Sequence, residues 1–382
     1  MPFRRYVFGV LAGVLLLLVA AAVAVDWAGR RTGSTLTPSE VADAQSENSR
    51  IVYFVEQIPG WGSIKLAGAA RTAPEVIYVG SSRGNSLRSQ MFAPYRFYNA
   101  ALTAWTIEQT RLMVQKILDV SSPKMILFSL DYWMFTNQWS GIEKTRSMQF
   151  RWLLNYKLRS NQLFLDSMLK GWPVLFPKVM PLLFGQPIDQ GQSPIFLGVD
   201  AIWHEVGFRS DGSFHQFSEI RAAANDSDKQ SMGSVLNAFP GGEHADNDQL
   251  AALERLADLA RSKGVQLVAV QFPIAKSARD FLDTNEDYRG NAGVWRESQT
   301  NERRAYLDRL GIPFFDLSRL SDDNTDFQDA AHITEKGSIK ALLALYEDPR
   351  FRKFLPRLKV ERLGEDLERN RSSEFVTIFG TH

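Results

Sequence analysis

Apolar residues follow two rhythms along this chain. Short runs that are apolar almost throughout occur at Glu75–Gly80, Phe97–Leu102, Lys124–Asp131, Val265–Phe272 and Pro313–Leu317. Runs of this kind suit strands covered on both faces. Between them, apolar residues recur every three or four positions, the spacing of one helix face. Ile107, Leu112, Met113 and Ile117 follow Thr106-Ile-Glu-Gln109, the pattern of a capping box in which threonine and glutamine satisfy orphan amides reciprocally. Leu250, Leu253, Leu256, Ala257 and Ala260 mark a helix over Asp246–Lys263 that Gly264 stops. Further helices are expected from about Trp295 to Leu310 and from about Lys336 to Tyr346. Strands alternating with helices predict an α/β fold, a five-stranded parallel sheet of flavodoxin-like type with helices on both faces.

Three stretches stand outside that alternation. Tyr6 to Val25 holds no charged residue, and about 20 apolar residues cross the ~30 Å hydrocarbon core as a helix. Arg4 and Arg5 ahead of it favour a cytoplasmic N-terminus, whereas Arg30 and Arg31 behind it weaken that bias. Ala22-Val23-Ala24 also resembles a signal-peptide cleavage site, so an anchor and a cleaved leader both stay open. Either way, the rest of the chain is expected outside the cytoplasmic membrane. Residues from about 140 to 245 read as a mainly helical insertion. Aromatic-rich sequence at Met148, Phe150, Trp152, Leu153, Leu154 and Tyr156 leads to Trp172–Phe184, where internal prolines and a lysine argue against a second span. That aromatic stretch is either the core of the insertion or a segment lying in the membrane interface. From Asp348 the chain is charged, with no clear periodicity. The expected organisation is a cytoplasmic tip (1–5), a transmembrane anchor (6–26), a stalk leading to the domain (27–70), the α/β domain with its insertion (71–347) and a charged tail (348–382).

Composition removes several function classes. The 382 residues carry 44 Lys+Arg against 43 Asp+Glu, which lacks the basic excess usual in nucleic-acid binders. Cysteine is absent, and with it disulfides, thiolate nucleophiles and cysteine-based zinc sites. His204, His215 and His244 have no helical i, i+4 pairing, so no metal or other cofactor is expected.

The candidate chemistry lies in two short motifs at opposite ends of the chain. Gly80-Ser81-Ser82-Arg83 follows the first strand, and Asp329-Ala-Ala-His332 follows the fifth. In a parallel sheet both fall beyond the strands' carboxyl ends, where ligands bind. Ser82 needs a base to act as a nucleophile. His332 is the one of five histidines with a carboxylate at i−3, so Asp329 is placed to orient it. Backbone amides at Ser82 and around Ala100–Ala104 are candidate oxyanion donors. Taken singly, the first motif also reads as a turn and helix cap, and the second as a loop salt bridge. Arg83 either attracts an anionic substrate group or forms a salt bridge. Asp131 lines the cleft or caps a turn. Trp133, Phe135 and Trp139 form a sugar-stacking platform or pack against the insertion.

These motifs resemble those of the SGNH/GDSL hydrolases, and more narrowly of membrane-anchored members found with envelope polysaccharide O-acylation systems. The resemblance covers roughly residues 70–140 and 245–347. Gly80-Ser81-Ser82 matches the family's Gly-Asp-Ser block, and Asp329 with His332 matches its Asp-x-x-His block. By this likeness Ser82, Asp329 and His332 are the catalytic set, and Ser82, Asn99 and Ala104 are the oxyanion candidates, with alanine where the family has glycine. The family's Gly-x-Asn-Asp block is missing: Ser129-Leu130-Asp131 ends the third strand without an asparagine. The resemblance implies a serine esterase or O-acyltransferase acting on an envelope glycan, with a multi-span membrane acyltransferase as a candidate partner. The missing block leaves open a non-catalytic, glycan-binding or acyltransferase-docking protein.

Overall fold

The computed structural model describes residues 2–55, 61–136, 152–184, 193–216, 241–284, 293–373 and 377–379. Helix α1 (Pro2–Arg31) is followed by α2 (Pro38–Glu47), β1 (Ile51–Tyr53), α3 (Trp61–Thr72) and β2 (Val76–Gly80). Then come β3 (Phe97–Ala101), α4 (Ile107–Val120), β4 (Met125–Ser129), α5 (Trp152–Leu183), β5 (Ile195–Leu197), α6 (Val199–His204), β6 (Gly207–Phe208) and β7 (Phe214–His215). The last part holds α7 (Asn247–Ser262), β8 (Gln266–Gln271), α8 (Lys276–Thr284), α9 (Gly293–Ser298), α10 (Asn301–Arg309), β9 (Phe314–Asp316), α11 (Glu335–Glu347), α12 (Pro349–Arg352) and α13 (Val360–Arg369).

The main sheet is parallel throughout, in the order β3-β2-β4-β8-β9. Numbered among themselves these strands run 2-1-3-4-5, the flavodoxin-like order. Period-two alternation divides the strand residues between two cores. Ile77, Val79, Ile126, Phe128, Leu267 and Ala269 join α4 and α7 on one face. Val76, Tyr78, Met125, Leu127, Val268 and Val270 join α11 and the chain that follows it on the other. Burial on both faces is what the continuous apolar runs require.

The caps follow the sequence closely, with one shift. Thr106 caps α4 by accepting from the Gln109 amide at 3.2 Å. Gln109 reaches back past it, accepting from the Trp105 amide at 2.8 Å. The Asp246 side chain caps α7, and Gly264 follows it in the left-handed region at φ 65°.

Two expectations need correction. Residues 27–70 are not a bare stalk. They hold α2 with a full Thr37/Glu40 capping box, α3 and β1. Strand β1 pairs in parallel with β5 of the insertion and antiparallel with β6, in a second sheet ordered β5-β1-β6-β7. The insertion therefore carries strands as well as helices, and the segment before the domain completes its sheet. The tail is also built in. Phe351, Leu355, Leu358 and Leu363 are buried in the α11-side core. Pro349 and Pro356 divide this stretch into short pieces, and charges fill the intervening positions, which hides the period.

The insertion is stitched to the main sheet by buried polar groups. The Asn99 amide donates to the Asp211 carbonyl at 2.8 Å, and the Phe214 amide to the Asn85 carbonyl at 3.0 Å. Gly212 sits at φ 77°, where a Cβ would lie 2.2 Å from the Asn99 carbonyl oxygen, so the close approach needs glycine. Lys65 on α3 is buried, and its ammonium donates to the carbonyls of Asn99, at 3.0 Å, and Gly212. It lies 4.0 Å from the Phe208 ring centroid.

Burial pulls the Lys65 ammonium down to about 7, against the opposing pull of Asp211. Between about pH 7 and its unfolded value of 10.5, the unfolded chain binds more protons, so this group makes stability rise with pH. Lys65→Met is expected to flatten that rise in urea unfolding of the full chain. An unchanged slope would show that Lys65 stays charged in the fold.

Candidate active site

The site begins at the turn after β2. Gly80 has φ 155°, and a Cβ there would lie 2.1 Å from Ser129 Oγ and 2.9 Å from the Tyr78 hydroxyl. Only glycine lets the chain leave the strand so close to β4. The next two serines face opposite ways. Ser81 is buried: its amide donates to Ser129 Oγ at 3.1 Å and its hydroxyl to Asp131 Oδ2 at 2.7 Å. Ser82 opens a single turn, Ser82–Gly84, and is partly exposed at the carboxyl edge of the sheet.

Ser82 Oγ lies 2.6 Å from His332 Nε2, although 250 residues separate them. His332 Nδ1 lies 2.7 Å from Asp329 Oδ2. The other carboxylate oxygen, Oδ1, accepts from the amides of Ala331 and His332, each at 2.8 Å. These bonds lock the Asp329–His332 turn, so Asp329 orients the ring and the backbone that carries it. Burial opposes ionisation of Asp329, but the hydrogen bond and charge of His332 and the two amides outweigh it and hold the carboxyl at about 2. With Nδ1–H donated to a carboxylate, Nε2 is the acceptor for the Ser82 hydroxyl, the relation a serine nucleophile needs.

The loop after β9 reaches Ser82 because buried contacts tie it there. Gln328 donates to Ser86 Oγ at 3.1 Å and to the Ile333 carbonyl at 3.0 Å, and Ser86 donates to that same carbonyl at 2.9 Å. Arg83 lies beneath. Its Nε donates to the Ala331 carbonyl at 3.1 Å, Nη1 pairs with Asp131 at 2.7 Å, and Nη2 donates to the carbonyls of Phe272 and Pro273. The side chains of Arg83 and Asp131 are both 0% exposed.

That geometry corrects the two oxyanion candidates, Asn99 and Ala104, and decides between the readings left open for Arg83, Asp131, Trp133 and Phe135. Arg83 and Asp131 do not line a substrate cleft, because they are buried against each other. Asn99 is not aimed at an oxyanion. Its amide nitrogen donates to the carbonyls of Gly84 and Leu87, both at 2.8 Å, and its oxygen accepts from the Ala101 amide at 2.8 Å. The Ala104 amide donates to the Gly80 carbonyl at 3.3 Å, and Ala104 is buried. Both residues hold the turn that carries Ser82. Trp133 and Phe135 are buried too, so neither is a stacking platform; Trp139 lies outside the described residues. The Trp133 ring is 5.5 Å from the Arg83 guanidinium carbon. Among the described residues no cluster of three or more His, Asp or Glu side chains is placed to hold a metal.

A second buried charge cluster escaped the sequence reading. Arg88 pairs with Glu335 at 2.7 Å and Asp211 at 3.5 Å. Arg209 lies 3.7 Å from Glu335 and 3.0 Å from His215 Nδ1. Glu335 Oε2 also accepts from the amides of Ile378 and Phe379. The cluster joins the insertion, the chain after Ser82, the helix after His332 and the C-terminal segment. No local motif marks it, since its members are spread over nearly the whole fold.

No protein-family model and no curated protein matches the chain. Among solved structures it is similar to a crystal structure of a GDSL-like lipase from Bacteroides thetaiotaomicron VPI-5482. The identity is 11% and the TM-score 0.31, over 81% of this chain and 97% of that one. At that TM-score the likeness adds no weight to the geometry above.

Removing one partner of a buried ion pair costs ~3–5 kcal/mol, because the other charge is left uncompensated. Arg83→Ala and Asp131→Ala should each destabilise the protein by about that much. The double variant Arg83→Ala/Asp131→Ala should cost clearly less than the sum of the two, which closes a double-mutant cycle read by denaturant unfolding. Strict additivity would mean that the two side chains do not act as a unit.

Proposed function

We propose that the protein is a membrane-anchored serine esterase or O-acyltransferase that handles acyl groups of a cell-envelope or exported polysaccharide through an acyl-serine. The observation that carries the reading is the Ser82–His332–Asp329 relay, with its 2.6 and 2.7 Å contacts. On this reading His332 takes the Ser82 proton as Oγ attacks the acyl carbonyl. It returns the proton to the departing oxygen, and Asp329 stabilises the imidazolium in between. The Ser82 amide, at the start of its turn, is the backbone donor assigned to the oxyanion. Water or a sugar hydroxyl then resolves the acyl-enzyme.

The acyl and glycan specificity rests on the resemblance of the Gly-Ser-Ser and Asp-x-x-His blocks to envelope O-acylation proteins. The location rests on α1, whose most apolar 18-residue window has a mean hydropathy of 2.8 and is left unburied by the rest of the fold. Held by that helix in the cytoplasmic membrane with its domain outside, the enzyme meets an acyl donor borne by the same membrane or by a multi-span acyltransferase.

One observation favours a second reading. Asn99 is fully engaged in structural hydrogen bonds, and Ser129-Leu130-Asp131 at the end of β4 holds no asparagine. A non-catalytic protein that binds glycan or docks on an acyltransferase tolerates that loss of oxyanion donors.

A fluorophosphonate probe separates the two. The full chain is expected to label at Ser82, and Ser82→Ala should lose labelling by several orders of magnitude, as triad nucleophiles do. Ser81→Ala should keep most of it, since the Ser81 hydroxyl is turned inward onto Asp131. No labelling of the folded wild-type protein favours the binding reading; labelling that follows Ser81 overturns the assignment. Given an activated acyl ester with and without oligosaccharide, the unlabelled wild-type enzyme should pass the acyl group to the saccharide. Hydrolysis alone across a range of acceptors leaves an esterase.

A further inference from the structure

Helix α5 packs apolar residues against the fold and leaves a further apolar stripe exposed. Phe164, Leu175 and Val179 are buried against Val199 and Ile202 of α6, with Val25 and Ala28 of α1 packed on the same cluster. Leu165, Leu169, Trp172 and Phe176 occur at i, i+4, i+7 and i+11, which sets them in one stripe along the helix. They are exposed, Leu169 by 76% and Trp172 by 51%, and Phe184 beyond the helix end is 75% exposed. A row of this kind on a soluble surface marks an interaction site.

The position of α5 along α1 identifies the occupant. Hydrocarbon of ~30 Å takes about 20 helical residues, which carries α1 from Tyr6 to about Val25. Residues 6–24 of α1 are exposed, and burial against the protein begins at Val25. Helix α5 thus meets α1 at the level where it leaves the lipid. Arg30 and Arg31 are exposed at that level, Trp27 is 46% exposed, and Lys170 flanks the stripe. Tryptophan and basic side chains at this depth are what a bilayer interface selects.

The prolines decide between lying on the membrane and crossing it. Pro173, Pro177 and Pro181 lie inside α5, and each removes the donor that the carbonyl four residues back would use. Leu169, Pro173 and Pro177 therefore lose those partners on the exposed side. Such carbonyls are costly in hydrocarbon but are met by water and headgroups at the interface.

We propose that α5 lies on the surface of the membrane that α1 enters, with Leu165, Leu169, Trp172 and Phe176 set at the boundary between headgroups and acyl chains. The proposal rests on α1 being an uncleaved anchor. The chain has no cysteine, so single cysteines report without background. The full chain, one copy per nanodisc of phosphatidylethanolamine and phosphatidylglycerol, carries a bimane label at Leu169→Cys or Phe176→Cys. Val14→Cys in α1 and Lys263→Cys on the exposed turn after α7 serve as references. Brominated acyl chains are expected to quench the labels at 169 and 176 strongly, though less than at 14, and to leave 263 unaffected. Labels at 169 and 176 that behave like 263 overturn the proposal. So does a label that is shielded yet unquenched by bromolipid, because protein then covers the stripe. Loss of quenching at 14 instead shows that the anchor reading has failed, and intact mass separates cleavage from misplacement. Leu169→Glu/Phe176→Glu in detergent should keep fluorophosphonate labelling of Ser82, which shows that the variant is folded. In nanodiscs carrying the label at Leu165→Cys, it should lose the bromolipid quenching; quenching that persists also overturns the proposal.

Discussion

The buried Arg83–Asp131 pair is the constraint on which the site depends. Ser82 follows β2 and His332 follows β9, and two strands lie between those in the sheet. Nothing in the sheet itself brings the two loops within a hydrogen bond. The Arg83 fork does so by holding the end of β4 through Asp131, the end of β8 through the Phe272 and Pro273 carbonyls, and the His332 loop through the Ala331 carbonyl. A planar guanidinium with several fixed donors can serve this many acceptors at once, whereas a lysine is a single point charge. Burial raises the stakes, because an unpaired charge at 0% exposure is far costlier than a surface one. Arg83, next to Ser82, thus acts on the site through geometry.

The second charge cluster extends that logic outward. Glu335 begins the helix that follows His332, and it is held by Arg88 six residues after Ser82, by Arg209 from the insertion and by two amides of the C-terminal segment. Asp211 pairs with Arg88 from the insertion side and is itself held low, at about 2; burial opposes this, but Arg88 and the Ser213 and Ser89 hydrogen bonds prevail. The insertion and the tail are therefore joined to both halves of the site. Apolar packing would bury these surfaces as well, but it does not fix direction as charged hydrogen bonds do.

The sheet was legible because each strand is buried on both faces, which leaves continuous apolar runs with little ambiguity. Ser82, Asp329 and His332 were legible as a geometric candidate because each follows a strand end within a short motif. The roles of Arg83, Asp131 and Asn99 were not, because a polar side chain near a strand end has the same local signature whether it faces substrate or supports the turn. The difference lies in partners such as the Gly84, Leu87 and Ala331 carbonyls, which only the assembled fold supplies. Strand β1 was missed for a related reason. Its three residues gain their meaning from β5, far along the chain, and the Pro-rich helix α5 contradicts local propensity because packing against α1 and α6 overrides it.

The structured segment after α1 bears on the proposed anchoring. A flexible stalk of about forty residues would let the site wander by roughly 35 Å, and the membrane would contribute only a diffuse rise in local concentration. Here a chain of backbone hydrogen bonds runs from the end of α1 towards Ser82. The Gly198 amide donates to the Thr32 carbonyl at 2.7 Å, the Phe54 amide to Leu197 at 3.1 Å, and the Ala201 amide to Phe54 at 3.1 Å. Strand β1 then carries the link through β6 and β7, and Phe214 bonds Asn85 on the turn beside Ser82. Ser82 is held in one relation to α1. For a donor borne by the same bilayer, such a mount turns encounter into a question of orientation, where a rigid fit gains most and a wrong height loses most. A free-standing hydrolase of soluble esters gains nothing from that arrangement, and this tilts the proposed chemistry towards an acyl group that arrives from the membrane.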